Sequence, residues 1–328
     1  MSTVQNEKIP ETQNGKPLIR IEHLKKYFTV RGRGELHAVD DVTFDIMPKE
    51  TVGLVGESGC GKSTVGNVIM KLLEATSGKI ELEGRDMLTM SSREMHEIRR
   101  EIQIIFQDPY SSLNPKKTIR AILEEPFRIH KTVPKGELKD RVDELARLTG
   151  IESYVLSKYP HELDGGKRQM VGIARALALN PKFIVCDEPV SALDVSVQAT
   201  ILNLLIDLQK KMGLTYLFIS HDLSVVRHIS DRVAVMYLGQ IVEMAPTDTI
   251  FADTLHLYSV ALLSAVPKVQ FGRQSKRIVL EGDVPSPLNP KEGCRFAPRC
   301  WMACEACKEK TPELEEAEPG HFVACPYW

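Results

Sequence analysis

The stretch TVGLVGESGCGKST, at residues 51–64, decides how this chain folds. Its first half is an uninterrupted apolar run, which is typical of a strand buried on both faces of a sheet. Its second half, from Gly56 to Thr64, fits G-x-x-x-x-G-K-[ST], and the residues that follow favour a helix from about Lys62 to Leu73. This order of strand, glycine-rich loop and helix predicts a loop whose backbone N–H groups surround a phosphate.

The side chains of this loop have separate predicted roles. Lys62 is expected to neutralise the β- and γ-phosphates of a nucleotide, Ser63 to offer a hydroxyl to Mg²⁺, and Thr64 to lie near the α-phosphate. A glycine turn that matches the pattern by chance is the alternative, and the flanking strand and helix argue against it. The cysteine in the loop is interpreted as a passive small residue, with a redox-reactive thiol as the alternative. The other expected contacts of the nucleotide in this loop are Gly56, Ser58, Gly59, Cys60 and Gly61.

Two later strands end in polar residues that suit the same chemistry. The strand FIVCD ends in Asp187, which is placed to hold Mg²⁺, and Glu188 follows as a candidate general base for an attacking water. A surface carboxylate is the alternative interpretation of Glu188. His221 follows the apolar strand LTYLFIS, at the sheet edge where ligands of open α/β sheets bind. A lone histidine there is usually structural, but the phosphate loop, the carboxylates and Gln107 favour a functional role.

The rest of the chain predicts an α/β fold with a parallel sheet. Strand patterns near residues 18–46 come first, and strand–helix–strand order across residues 183–220 implies parallel pairing. Residues 108–165 are interrupted by prolines and contain amphipathic pieces, which indicates an inserted helical subdomain. A hairpin is expected to turn at Leu238–Gly239–Gln240. The predicted units are a disordered segment at 1–16, a nucleotide-binding domain at 17–252 and a C-terminal extension at 253–328.

Composition excludes several classes of partner. The formal charge of −2 and the pI near 6.5 show no basic footprint, so nucleic acid is not expected to bind. No apolar run approaches the ~20 residues that span a bilayer. The polar start of the sequence has no apolar core, so neither a signal peptide nor an anchor is expected there. These features predict a cytosolic protein that meets a membrane only through another subunit.

The cysteines are unevenly distributed. Cys60 and Cys186 stand alone, whereas the other five of the seven crowd the C-terminal extension. In a reducing cytosol such a cluster indicates a metal site before it indicates disulfides. Four thiolates suit zinc or an iron–sulfur cluster, and reduced thiols without metal are a third possibility. The candidate ligands are Cys294, Cys300, Cys307 and Cys325, and Cys304 leaves the set ambiguous.

Taken together and in order, these motifs resemble the nucleotide-binding subunits of ATP-binding cassette (ABC) transporters. The elements are the loop GESGCGKST, Gln107 in IIFQDP, the signature LDGGKRQ, the strand FIVCDE, Asp194 in SALD and His221 in ISHD. Phe28 or its neighbour Tyr27 matches the aromatic that stacks on adenine. The resemblance covers residues 18–250 and implies a RecA-like parallel sheet with an antiparallel β subdomain. It also implies that Gln107 joins Ser63 and Asp187 around Mg²⁺.

The family arrangement implies that one chain holds only part of each ATP site. Each ATP lies on the phosphate loop of one cassette and is closed over by the signature of a second, here Asp164, Gly165 and Gly166. This chain has one such loop, so it must pair with another copy or a related subunit. The family assigns the surface at about residues 107–165 to docking a cytoplasmic helix of a membrane subunit.

The signature differs from the usual LSGGQ of the family at two positions. Asp164 replaces the serine and Lys167 replaces the glutamine. One interpretation is that Asp164 is simply a strong helix N-cap. The other is a charge-swapped signature, in which Lys167, helped by Arg168, offsets the repulsion between Asp164 and the partner's ATP.

The C-terminal extension resembles that of the ATP-binding subunits of oligopeptide and dipeptide importers, and departs from it at Leu257, where proline is usual. The resemblance implies peptide uptake and a 4Fe–4S cluster, with Zn²⁺ as the alternative. It also implies a second, non-identical ATPase subunit, two transmembrane permeases and an extracytoplasmic peptide-binding protein. The chain would then lie on the cytoplasmic face of the plasma membrane.

Three other functions compete with peptide import. Import of nickel or another small solute is compatible with the cassette, because cassettes do not contact the substrate. An ABC protein acting in DNA repair or on the ribosome usually has a long coiled-coil insertion or two cassettes, and this sequence has neither. A metal-sensing regulator would not need the complete set of Asp187, Glu188 and His221.

Overall fold

The computed structural model describes residues 15–266 and 278–328. The predicted disordered segment at 1–16 lies outside the described residues except for its last two positions. None of the described helices is both long enough and apolar enough to cross a membrane.

Strands and helices alternate through most of the described chain. The strands are β1 (Ile19–Val30), β2 (Gly34–Ile46), β3 (Thr51–Val55), β4 (Ser77–Leu82), β5 (Arg85–Asp86), β6 (Ile102–Ile105), β7 (Phe183–Asp187), β8 (Thr215–Ser220), β9 (Arg232–Tyr237), β10 (Gln240–Pro246), β11 (Glu315–Glu318) and β12 (His321–Val323). The α-helices are α1 (Lys62–Ile69), α2 (Ser92–Ile98), α3 (Pro109–Ser112), α4 (Ile119–His130), α5 (Leu138–Leu148), α6 (Gly165–Leu177), α7 (Val195–Met212), α8 (Leu223–Ile229), α9 (Thr247–Ala252), α10 (Leu257–Ser264) and α11 (Ala306–Glu309).

The strands form two sheets. A four-stranded antiparallel sheet has the order β2-β1-β4-β5, and a mixed sheet has the order β11-β12-β10-β9-β3-β8-β7-β6. In the mixed sheet, β9, β3, β8, β7 and β6 run parallel, which confirms the predicted parallel sheet. Strand β10 is antiparallel to β9, so the predicted hairpin is also confirmed. The strand β3 therefore delivers the glycine-rich loop to the middle of the sheet.

Side chains of the central strands are buried on both faces of the mixed sheet. In β7, Val185 packs with the antiparallel sheet and α1, whereas Ile184 on the opposite face packs with the helices that follow β6. Every residue of β3 is buried, as its continuous apolar sequence predicts. Both hydrophobic cores therefore hold the strand that carries the phosphate loop.

Helix α1 is shorter than the sequence predicts. It ends at Ile69 instead of near Leu73, because Lys71 adopts a left-handed φ of 49°. The N–H groups of Leu72 and Leu73 both donate to the carbonyl of Asn67, which turns the chain away from the helix axis. The apolar periodicity of the sequence extends beyond Ile69, but the left-handed backbone at Lys71 prevents the helix from continuing.

Residues 108–165 contain α3, α4, α5 and two short 3₁₀ turns. Helix α6 follows, and Ile173, Ala174 and Leu177 are among its buried residues. That these helices form a separate subdomain stays a prediction.

The C-terminal extension contributes strands to the mixed sheet. Strand β12 pairs with β10, and β11 completes a hairpin with β12. Further along the surface, Leu288 forms an isolated bridge with Leu36 of β2. The extension thus pairs with the mixed sheet at β10 and with the antiparallel sheet at β2.

Candidate functional site

The glycine-rich loop between β3 and α1 has a backbone that other residues do not tolerate. Gly61 has a φ of 109°, and a Cβ there would lie 2.1 Å from the carbonyl oxygen of Ala38. At Gly56 a Cβ would lie 2.2 Å from the carbonyl oxygen of Met236. Glycine at these positions lets the loop curl closely against its neighbours.

Lys62 is the cation of this loop. Its side chain is buried, and Nζ donates to the carbonyls of Gly56 at 2.8 Å and Glu57 at 2.9 Å. In the described part of the chain, no carboxylate lies within ion-pair distance of Lys62. Its third contact is Cys60 Sγ at 3.8 Å. A buried ammonium group at the start of a helix, without a carboxylate partner among the described residues, fits the phosphates of a nucleotide.

Ser63 and Asp187 supply the oxygen atoms that Mg²⁺ prefers. Ser63 Oγ donates to Asp187 Oδ1 at 2.7 Å, and Asp187 lies buried at the end of β7. Burial raises the pKa of Asp187, and the hydrogen bond from Ser63 opposes this rise. A divalent cation beside the carboxylate would favour the charged form, so this donor pair fits Mg²⁺. Thr64 follows in the first turn of α1.

The three predicted catalytic residues meet at one carboxylate oxygen. Gln107 Nε2 donates to Glu188 Oε2 at 2.9 Å, and His221 Nδ1 lies 3.3 Å from the same oxygen. Glu188 has a left-handed φ of 44°, a conformation that costs a non-glycine residue free energy and is common at active sites. Gln107 contacts Glu188 here, and no hydrogen bond joins it to Asp187 within the described ranges.

The structure distinguishes between the two candidate aromatics. The ring of Tyr27 stacks on His37 with centroids 3.8 Å apart, and its hydroxyl donates to Asp40. Phe28 is 36% exposed, with Nζ of Lys26 4.8 Å from its centroid. Because the ring of Tyr27 is stacked on His37 and its hydroxyl is bonded to Asp40, Phe28 has the more accessible ring for stacking on a base.

Asp164 is the N-cap of α6. Its side chain accepts a hydrogen bond from the backbone N–H of Lys167 at 2.8 Å, which confirms the prediction of a cap. Lys167 Nζ lies 3.8 Å from Asp164 Oδ2 and donates to the hydroxyl of Tyr154 at 3.0 Å. The Asp164 side chain remains 63% exposed, so a partner molecule can reach it.

The signature glycines lie at the start of α6. A Cβ on Gly166 would lie 2.6 Å from Val197, so α6 and α7 are in close contact there, whereas Gly165 has more space. Asp194 precedes α7, and its side chain does not cap that helix. Within the described residues, no hydrogen bond or ion pair joins residues 164–166 to the glycine-rich loop of the same chain.

The cysteines separate into two groups. Cys60 and Cys186 are buried, and burial raises the pKa of both thiols, which agrees with a passive Cys60. In the C-terminal extension, Cys304 Sγ and Cys307 Sγ are 3.6 Å apart. Burial raises the pKa of Cys294, and the nearby Cys307 and Cys325 add to this.

These thiols are soft donors of the kind that zinc and iron–sulfur clusters need. However, no three or more His, Cys, Asp or Glu side chains of residues 15–266 and 278–328 gather to hold a metal ion. The donor chemistry fits a metal, but the arrangement of the described side chains does not enclose one.

Two arginines of the C-terminal extension contact the loop region, and the sequence did not indicate either of them. Arg299 donates to the carboxylate of Glu57 at 2.9 and 3.3 Å. Arg295 donates to the Asp40 carboxylate and to the carbonyl of Leu238. Both lie in RFAPR, between Cys294 and Cys300, and no local sequence pattern indicates a contact with a residue more than 200 positions earlier.

Comparison with known proteins places this geometry in context. A family model described as "ABC transporter" matches residues 39–191, and one described as "Oligopeptide/dipeptide transporter, C-terminal region" matches residues 242–307. The chain is 48% identical to the oligopeptide transport ATP-binding protein AppF of Bacillus subtilis (strain 168), over 95% of this chain and 98% of the relative. It is 45% identical to the dipeptide transport ATP-binding protein DppF of Haemophilus influenzae, over 96% of this chain and 98% of the relative.

Solved structures are similar over the cassette. The ATP-binding cassette MJ0796, as a dimer in a post-hydrolysis state bound to ADP and Pi, is 30% identical with a TM-score of 0.64. The match covers 70% of this chain and 98% of that one. Another similar structure is cbiO1 from Clostridium perfringens, described as part of the cbiONQ transporter complex, with 27% identity and a TM-score of 0.64. That match covers 75% of this chain and 93% of cbiO1.

Proposed function

This chain belongs to the ABC transporter family, and we propose that it is the ATP-hydrolysing subunit of a membrane importer of di- or oligopeptides. The observation that carries the proposal is the meeting of Gln107 and His221 at Glu188, beside the buried Ser63–Asp187 pair. The similarity to peptide-transport subunits along nearly the whole chain supports peptides as the substrate.

Each residue of the site has a role in hydrolysis. Lys62 and the loop N–H groups would hold the phosphates, and Ser63 and Asp187 would hold Mg²⁺, which would neutralise phosphate charge. Glu188 accepts a proton from water as the water oxygen attacks the γ-phosphorus and the bond to ADP breaks. His221 and Gln107 hold the carboxylate and the attacking water in position.

A second cassette completes the site in this proposal. Its signature helix would close over the ATP on Lys62, and Asp164 of this chain would face the ATP of the partner. The exposed side chain of Asp164 supports an intermolecular role. We propose that the partner is a related, non-identical subunit.

A cleft beside β6 suits a helix of a permease. The cleft has a volume of about 310 Å³ and lies between β6 and α4. Leu72 and Ile129, which line it, are exposed large apolar side chains, and Arg99 and Glu125 add charge. An exposed apolar cleft with polar groups is typical of a protein interaction site. We propose that residues 108–165 form a helical subdomain and that two permeases hold the cassettes on the cytoplasmic face of the membrane.

The cysteine cluster is proposed to bind a metal. Four of the cysteines would hold a 4Fe–4S cluster, with Zn²⁺ as the alternative, and the extension at 253–328 would form a small unit around it. Protein purified without oxygen should then contain stoichiometric iron and absorb broadly in the blue. Colourless protein with stoichiometric zinc would support the alternative, and metal-free protein would exclude both.

Reconstitution tests the transport function. The chain is co-expressed with two permeases and a second cassette, and the complex is placed in proteoliposomes with the peptide-binding protein. Peptide should stimulate ATP hydrolysis and enter the vesicles, and Lys62→Ala should abolish both. If nickel and not peptide stimulates ATP hydrolysis, the transported substrate is a metal ion. Failure of the chain to co-purify with any permease would contradict the proposal.

A further inference from the structure

Glu57, the second residue of the phosphate loop, is held on several sides. Its carbonyl accepts a hydrogen bond from Lys62 Nζ at 2.9 Å, inside the loop. Its N–H donates to the hydroxyl of Tyr258 at 2.9 Å, and its carboxylate receives both terminal nitrogens of Arg299. Two of these three attachments come from the C-terminal extension. The peptide that contacts Lys62 is thus positioned by residues more than 200 positions later in the chain.

The ion pair of Arg299 and Glu57 is partly sheltered from water. The Arg299 side chain is only 7% exposed, and the pairing is bidentate, which is the stronger geometry for arginine and carboxylate. Removing one partner from such a pair leaves the other charge poorly solvated. Arg299 therefore restrains the position of the Glu57 side chain.

Phe296 anchors the segment that carries the arginines. It is buried, and its ring centroid lies 5.4 Å from that of Tyr237 and 5.6 Å from that of Tyr258. Aromatic packing of this kind holds the backbone on either side in one place. Arg295 and Arg299 flank Phe296, so both are held against the cassette.

Arg295 pairs with Asp40 of β2. Its partner Asp40 also accepts from the hydroxyl of Tyr27 and lies 3.1 Å from His37 Nδ1. The N–H of Asp40 donates to the carbonyl of Gly239, whose own N–H donates to the carbonyl of Cys60 in the phosphate loop. One continuous network therefore joins the phosphate loop, Tyr27 of β1 and residues 295–299.

We propose that residues 295–299 belong to the nucleotide site, with Arg299 as a positioning residue that acts through Glu57 on Lys62. The inference rests on the proposed function, in that the loop must bind ATP. Arg299 sets the resting position of the loop that receives the phosphates, and it does not touch the attacking water. Its loss should therefore weaken nucleotide binding and leave the hydrolytic step of bound ATP nearly unchanged.

The test measures binding of MgATP to the full chain by calorimetry. Arg299→Gln and Glu57→Gln should each weaken binding roughly tenfold, and the double variant should be no weaker than either single variant. Arg299→Lys should recover part of the affinity that Arg299→Gln loses. In the complex with the second cassette, single-turnover hydrolysis by Arg299→Gln at saturating ATP should stay within about twofold of the wild-type rate.

Arg232→Gln is the matched control. Arg232 also pairs with a glutamate, Glu50, at 3.0 Å, but at the starts of the strands, on the sheet edge opposite the loop. This variant should lose stability and keep its affinity for MgATP.

The outcomes separate the inference from the proposed function. Wild-type affinity in Arg299→Gln, or an equal loss in Arg232→Gln, would overturn the positioning role. A wild-type chain that binds no MgATP would instead defeat the proposed function. If Arg299→Gln does not fold, Glu57→Gln decides, because it removes the charge with which Arg299 pairs and leaves Arg299 in place. Weaker binding of MgATP supports the inference, and unchanged binding overturns it.

Discussion

Asp164 uses its two carboxylate oxygens differently. Oδ1 accepts from the backbone of Lys167, and Oδ2 lies 3.8 Å from the Lys167 ammonium group. The cap and the charge-swapped signature are therefore compatible interpretations. A carboxylate ~4 Å from a phosphate charge costs about 4 kcal/mol at an effective dielectric of ~20, and Lys167 offsets part of this.

Asp164→Ser should keep the cap and remove the repulsion. We expect the assembled complex to need less ATP for half-maximal hydrolysis, by up to roughly tenfold, with the melting temperature unchanged. The measurement is the ATP dependence of hydrolysis by the complex. Asp164→Ala is the control, since it loses the cap and about 1 kcal/mol of stability. If Asp164→Ser leaves both rate and ATP dependence unaltered, Asp164 is only a cap.

Glu188→Gln should separate binding from hydrolysis. The amide keeps the size of the side chain but cannot accept a proton from water, so hydrolysis should fall about 10²- to 10⁴-fold. MgATP affinity, measured by calorimetry, should remain close to that of the wild-type chain. A variant that still hydrolyses ATP at more than a tenth of the wild-type rate would show that Glu188 is not the base.

His256 should make the fold sensitive to acid. Burial lowers its pKa from 6.5 to about 4. Between these two pH values His256 is mostly protonated in the unfolded chain and mostly neutral in the folded chain. Stability should therefore fall as the pH drops from 6.5 towards 4, by about 2 kcal/mol at pH 5. Urea unfolding at several pH values measures this slope. His256→Gln should flatten it, whereas the exposed His228→Gln should not, and equal slopes in all three would contradict the assignment.

Among the elements, those buried on both faces were the easiest to predict. The strands β3, β7 and β8 are continuous apolar runs, because helices or a second sheet cover both of their sides. The end of α1 and the strand β12 were not predictable in this way. Lys71 changes the backbone for reasons of local geometry, and the pairing of β12 with β10 joins segments about 80 positions apart.

A buried carboxylate holds this last pairing together. Glu243 in β10 has a side chain with no exposed surface and lies 2.8 Å from Nε2 of His321 in β12. It also accepts from the backbone N–H groups of Leu255 and His256, at the start of α10. The sequence shows Glu243 only as a charged residue in the apolar stretch IVEMA. Its burial is explained by His321 and the two backbone N–H groups, which pair with its carboxylate.

Glu243→Ala should destabilise the chain strongly. It leaves His321 and two backbone N–H groups without their acceptor in a buried place, so we expect a loss of about 3–5 kcal/mol. Chemical unfolding followed by circular dichroism measures the change. The exposed Glu315→Gln in β11 is the control and should stay within about 0.5 kcal/mol. A small effect at Glu243 would mean that the pairing of β10 and β12 does not need it.

At the scale of the whole molecule, the sequence predicted the cassette but not how the extension lies on it. The order of motifs predicted that Gln107, Glu188 and His221 lie close together, since each follows a strand whose end lies at the same sheet edge. The ion pair of Arg299 with Glu57 spans 242 positions, and no local pattern encodes a contact of that range. The choice between Phe28 and Tyr27 as the base-stacking residue likewise depends on a contact that the sequence does not show, the stacking of His37 on Tyr27.

Pairing of two cassettes should depend on trapped nucleotide. In the Glu188→Gln chain, MgATP should produce a stable complex with the partner cassette, because each ATP is held from both sides and is not hydrolysed. Sedimentation velocity measures the association, and Lys62→Ala should abolish it. A dimer of this chain alone with MgATP would favour identical subunits over the proposed non-identical pair.

The long reach from Glu57 to Arg299 also has a consequence for biosynthesis. A ribosome that adds about 5–20 residues per second reaches Arg299 roughly ten to fifty seconds after Glu57. Throughout that interval the nascent chain contains Glu57 of the phosphate loop without Arg299, its ion-pair partner. Full affinity for ATP should therefore arrive late in translation, after the strands that surround the loop have been made. The extension should in this way delay tight nucleotide binding until all of the nucleotide-binding domain has been made.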